Sequence, residues 1–166
     1  MTHPIFTDAV DDIAAQWAVE RPDLDVGPME VIGRIHRVAA LLDTRLREVF
    51  AEAALGNGDF DVLASLRRSG APYELAPTEL SATMMVTSGA VTKRVDRLQR
   101  LGLVGRRVSA SDGRGRVIAL TERGRTLVDQ LHPLHLANED RLLHALDTKE
   151  RAQLAALLRK LLLTLE

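Results

Sequence analysis

Arginine, lysine, serine and threonine are the residues of this sequence best placed to do chemistry, and the basic ones cluster. Residues 86–118 hold Lys93, Arg94, Arg97, Arg100, Arg106, Arg107, Arg114 and Arg116 against Asp96 and Asp112, a formal +6, while the rest of the 166-residue chain carries −7. A concentrated cationic segment on an acidic body implies a polyanionic partner. A solvated, arginine-rich helix without a partner would give the same clustering. Catalysis lacks its groups. There is no cysteine to serve as nucleophile, thiolate ligand or disulfide, no phosphate-loop glycine pattern, no His-Glu metal motif and no serine between framing glycines. His132 and His135 lie three apart with Glu139 nearby, but Pro133 interrupts them and no fourth ligand is evident. No enzyme activity, metal or cofactor is expected.

Composition sets the outer limits. At 46% hydrophobic and 27% charged residues the chain can bury a core. Aromatics are 3%, with Trp17 the single tryptophan, too few for a surface that stacks unpaired bases, so double-stranded DNA is the better-suited polyanion. No apolar run exceeds five residues and the start, MTHPIFTDAV, lacks a basic-then-apolar pattern. Neither a membrane span nor a signal peptide is expected, and the location is read as cytoplasmic.

The elements that must position these residues are mostly helical. Between residues 29 and 50, Ile32, Ile35, Ala39, Leu42, Leu46 and Val49 fall at a 3-4-3-4-3 spacing, one narrow apolar stripe down a long helix. A shorter helix precedes it from about residue 7 to 20. Residues 57–68 form a third, with Asn57 as a cap and Phe60, Leu63 and Leu66 buried. A helix starts at Ala76-Pro77, where Glu79 reaches back to free amides. The next, capped by Thr87 or Ser88, buries Val91, Val95 and Leu98. Residues 104–108 and 116–120 are strands flanking a glycine-rich cationic tip. Thr121 caps a helix bent near Pro133, and Asp147 to Glu150 is a capping box before a last helix striped with Leu154, Leu157, Leu158, Leu161, Leu162 and Leu165.

Two short tandem helices followed by a basic hairpin make a winged helix-turn-helix, so the fold class is mainly α with a small β-hairpin wing (α+β). Residues 1–56 read as an N-terminal extension and dimerisation helices, 57–120 as the DNA-binding lobe and 121–166 as C-terminal dimerisation helices, in one compact domain. On the helix at 88–100, Ser88, Thr92, Lys93, Asp96, Arg97 and Arg100 face outward, a face suited to a major groove. Arg94 and Arg116 are in reach of phosphate. In the tip, Gly113 and Gly115 let the backbone approach the duplex, Arg114 suits a minor groove, and Asp112 is read as holding Arg114 or capping the turn. The leucine and isoleucine stripes at the two ends of the chain suit a homodimer, although packing within one chain would use them equally.

Phe60-Asp61-Val62-Leu63, Pro77-Thr78-Glu79-Leu80, residues 89–98 (GAVTKRVDRL), Gly102-Leu103-Val104, Asp112-Gly113-Arg114 and Leu120-Thr121-Glu122-Arg123-Gly124 together resemble the MarR family of bacterial transcriptional regulators. The likeness covers about residues 29–165. It implies a homodimer built from the terminal helices, binding a pseudo-palindromic operator and usually repressing until a small molecule releases it. One departure is Ala76, where the family often has Thr or Ser, a lost side-chain cap of roughly 1 kcal/mol. Trp17, Asp61, Arg94 and Arg106 further resemble the signature of the family's urate-responsive branch. That likeness implies a site for urate or another small anionic aromatic ligand, which Arg94 attracts and Asp61 repels, breaking an Asp61–Arg106 pairing. Each of the four also has a plain role open to it in packing, helix-dipole compensation or phosphate contact. The alternative to a ligand-responsive repressor is a winged-helix module that binds protein and uses its basic face for solubility.

Overall fold

The computed structural model describes residues 7–84, 88–108 and 115–166, with Ser88 and Gly89 described by their backbone alone. Seven α-helices and three strands follow in the order α1 (Ala9–Glu20), α2 (Gly27–Arg47), α3 (Asn57–Arg68), β1 (Glu74–Leu75), α4 (Pro77–Met84), α5 (Ser88–Arg100), β2 (Val104–Val108), β3 (Arg116–Leu120), α6 (Glu122–Leu142) and α7 (Thr148–Leu162), with a 3-10 turn at Glu48–Phe50. The chain packs as two units, Met1–Arg45 and Leu46–Glu166. Thr87, Asp112 and Arg114 lie outside the described residues, and with them the predicted Thr87 cap and the wing tip.

In the first unit, Asp8 caps α1 by accepting from the Val10 and Asp11 amides, while Asp11 accepts from the Asp8 amide. Arg34 on α2 ties this cap down, donating to Asp8 at 3.0 Å and to Asp11 at 2.6 Å. Gly33 lets the helices approach, since a methyl there would lie 3.3 Å from Val10. Backbone amides and the Arg34 guanidinium hold both carboxyls below the usual carboxylate range.

The second unit is built on α3. Val62, Leu63 and Leu66 are fully buried, joined by Leu80 of α4, by Val95 and Leu98 of α5, and by Phe50, Ile118 and Val128. That cluster is the helix-turn-helix core. The wing pairs β2 antiparallel to β3, from Val104 opposite Leu120 to Val108 opposite Arg116. A third strand, β1, completes the order β1-β3-β2, with Glu74 opposite Ala119. At two residues, β1 is too short to leave an alternating pattern in the sequence.

Helix ends follow the sequence with one correction. Glu79 accepts from the Ala76 amide at 2.7 Å, Thr121 caps α6 through the Gly124 amide, and Asp147 with Glu150 forms a capping box on α7. The cap of α3, however, is Gly56 and not Asn57: the Asp59 carboxylate reaches back to accept from the Gly56 amide at 3.0 Å. Helix α6 runs on through Pro133, and Arg151 closes the corner to α7 by donating to the Leu143 and Leu146 carbonyls and to Asp140.

Gly124 fixes where α6 leaves the wing. A methyl group there would lie 2.0 Å from the Leu103 carbonyl oxygen, a backbone atom that cannot step aside. Gly to Ala within a helix ordinarily stabilises by about 1 kcal/mol. Gly124→Ala is expected to reverse that sign and cost roughly 1 to 3 kcal/mol through overpacking, seen as a lowered Tm in thermal unfolding.

Candidate nucleic-acid interface

Helix α5 is held by one apolar stripe, Val91 at 2% exposure with Val95 and Leu98 at 0%. That anchoring turns Thr92, Lys93, Asp96 and Arg100 to the surface. The sequence placed these residues outward and the structure does the same. Arg116 opens β3 opposite Val108 and is exposed at the end of the wing next to its connecting loop. Among the described residues, Lys93, Arg100 and Arg116 form no ion pair, so their charge is available to a partner.

Other cations of the basic segment are spent internally. Arg97, predicted to face DNA, donates to the buried Asp59 carboxylate at 2.5 Å and to the Ala54 carbonyl. Arg107 pairs with Glu74 of β1, whose side chain is only 12% exposed. Arg106 donates to Gln99 at 2.5 Å and to Asp96. These partners stand up to 43 positions apart in sequence, and no local pattern announces them.

Arg94 points inward too. Its guanidinium lies over Gly58 in the first turn of α3, so close that a methyl group at Gly58 would sit 2.2 Å from its central carbon. One of its terminal nitrogens, Nη1, is buried with no hydrogen-bond partner among the described residues. Asp61 is near enough for Arg94, His135 and Arg68 to act on it electrostatically. Crowding by neighbouring chain raises the Asp61 pKa above the ordinary carboxylate value, and the three positive or titratable neighbours only partly offset this. The His135 ring packs at a tilt against Phe50 and Phe60, with ring centroids 5.3 and 5.0 Å away, and its Nδ1 is likewise buried without a partner among the described residues. Sequence reasoning passed over His135 in this setting because it was weighed only as a metal ligand; among the described residues no group of three metal-binding side chains occurs.

The four residues of the ligand signature are therefore placed differently from the expected Asp61–Arg106 pairing. Asp61 and Arg94 come together at the start of α3. Arg106 lies instead on a cleft of about 420 Å³ lined by Pro77, Ser81, Thr92, Val95 and Ile118, where Asp96 and Gln99 hold it. The reason is proximity: Asp96 and Gln99 lie on the helix directly before the turn into β2, so Arg106 meets them first. Trp17 belongs to the first unit, on α1, with 45% of its surface exposed.

Comparison with known proteins agrees with this architecture. A profile described as "MarR family" matches residues 55–115. The HTH-type transcriptional regulator PecS of Dickeya dadantii is 41% identical over 149 residues, 90% of each chain. The chain belongs to the MarR family. The multiple antibiotic resistance protein MarR of Escherichia coli is 33% identical over 135 residues, 79% of this chain and 90% of that one. A mutant MarR from E. coli, solved in complex with operator DNA, superimposes with a TM-score of 0.71 at 29% identity, over 94% of this chain and 99% of that one. As a MarR-family member, the protein is a DNA-binding transcriptional regulator and not an enzyme.

The strained ionisation of Asp61 gives a pH test. Because its folded pKa is raised, the stability it contributes is full below the unfolded pKa of about 3.9 and lost as pH rises through the folded value. Asp61→Asn is expected to raise Tm at neutral pH, with the gain disappearing near pH 3; an equal gain at both pH values would contradict this origin.

Proposed function

We propose that this MarR-family regulator is a homodimeric repressor that inserts the two α5 helices of the dimer into successive major grooves of a pseudo-palindromic operator, acting on DNA in the cytoplasm. The observation carrying the DNA mode is the outward set Thr92, Lys93 and Arg100 on a helix whose opposite side is locked into the core. Lys93 can donate to guanine edges and Thr92 to bases or phosphate, while Arg116 at the loop end of the wing neutralises phosphate. Ser88, Asp112 and Arg114 complete the same proposed surface from the sequence.

Dimerisation is supported by two helices that have no fully buried residue. Neither α2 nor α7 contains a buried residue, and Val31, Ile32, Val38, Leu41, Leu154 and Leu157 stand exposed. Apolar faces of that extent on regular helices suit a second copy.

A small anionic or aromatic ligand, urate being one such, is proposed to release the operator. Its support is the half-buried Arg94, whose Nη1 is buried with no hydrogen-bond partner among the described residues, beside a carboxyl that ionises reluctantly. An anion would be attracted by Arg94 and repelled by Asp61, and such a ligand shifts DNA affinity only through unequal binding to the two states, with coupling of roughly 1 to 3 kcal/mol.

Selection of bound duplexes from a random pool is expected to return a two-fold site, with affinity falling on the order of a thousandfold over a fourfold rise in salt if six phosphates are neutralised. Flat salt dependence would instead favour a protein-binding module. For the ligand, saturating urate is expected to change Trp17 emission and weaken operator binding. Gly58→Ala, which displaces the tip of a flexible side chain and leaves backbone in place, is expected to abolish that response while the fold persists; a response as in the unaltered protein would remove Arg94 from the site.

A further inference from the structure

Arg94 and Arg97 sit three positions apart on α5, and both turn back toward the start of α3. Arg97 makes the more directional contact. Its Nη1 donates to Asp59 Oδ2 at 2.5 Å and its Nη2 donates to the Ala54 carbonyl oxygen, so a single planar fork bridges a carboxylate and the main chain. Asp59 is fixed from its other side: the same Oδ2 accepts from the Gly56 amide at 3.0 Å, and its side chain is 5% exposed. Ala54 is in the left-handed region at φ 54°, and the turn that holds it follows directly on the 3-10 turn after α2.

Apolar burial decides which side of α5 faces the core but sets its rotation less sharply than a directional contact does. The Val91, Val95 and Leu98 stripe is attracted to the core without preferred direction, so a small roll or slide of the helix costs it little. A two-pronged guanidinium pair tolerates no such movement. A roll of α5 would change which of Thr92, Lys93 and Arg100 reach base edges.

We infer that Arg97 is a positioning residue for operator recognition: through Asp59 and Ala54 it sets the rotation of α5, and it contributes sequence preference without touching DNA. A buried acid is thereby made necessary for binding a polyanion, the opposite of what charge alone dictates. Removing an acid from a DNA-binding lobe ordinarily tightens binding to every duplex. Here Asp59→Asn weakens it on the operator.

The test uses the full-length protein, an operator recovered by selection and a random duplex of equal length, each titrated across salt. Arg97→Gln and Asp59→Asn are expected to lower the operator-to-random affinity ratio by about tenfold or more, with the slope of log affinity against log salt unchanged, and the double variant to be no worse than either single one. Arg97→Lys keeps the charge and loses the fork, and is expected to lower the ratio as well. A phosphate contact gives the other pattern: Arg97→Gln cuts the salt slope by about 0.9 per protomer with the ratio held, and Arg97→Lys restores binding. That pattern, or Asp59→Asn binding the operator as well as or better than the unaltered protein, overturns the inference. Asn at position 59 can still accept from the Gly56 amide, and the two Arg97 variants, on an exposed position of α5, carry the test by themselves.

Discussion

Burial of Val91, Val95 and Leu98 against α3 is the contact on which the arrangement rests. It fixes one side of a helix that carries Lys93, Arg94, Arg97 and Arg100 and so decides which of these charges reach solvent. Without that stripe the helix is a polycation with no reason to prefer one face. With it, each position falls on a buried or an exposed side, and the wing, which enters through Leu103, Val104 and Ile118, is joined to the same core.

The division of charge that follows is unequal. Arg97, Arg106 and Arg107 are neutralised by Asp59, Asp96 and Glu74, and Arg94 is packed over a glycine, whereas Lys93, Arg100 and Arg116 form no ion pair among the described residues. Exposed ion pairs contribute little to stability, but those that fix a side chain's direction govern geometry. Net charge over the segment thus overstates the charge offered to DNA. It reports composition, and the pairing reports use.

Much of the architecture is legible in the sequence because it is encoded locally. Proline at the first position of α4 with Glu79 two residues later, Thr121 before α6 and Asp147 with Glu150 before α7 are signals confined to a single turn, and each helix begins where they stand. The strands β2 and β3 are legible from their β-branched residues and the glycines between them. Long-range partners leave no such trace. The capping of α3 by Gly56, the pairing of Arg97 with Asp59, the β1 strand at Glu74 and the seat of Arg94 on Gly58 each depend on tertiary neighbours that periodicity does not reveal. The site residues were accordingly legible as a chemical type and only in part as a geometry: Asp61 and Arg94 adjoin, while Arg106 is taken up by the nearer Asp96 and Gln99.

Helices α2 and α7 contain 21 and 15 residues and bury none of them within the chain. Where a second copy covers such helices, as proposed, folding and assembly become one equilibrium governed by mass action. The midpoint of unfolding would then vary with protein concentration, and a newly made subunit would reach its full order only on meeting its partner.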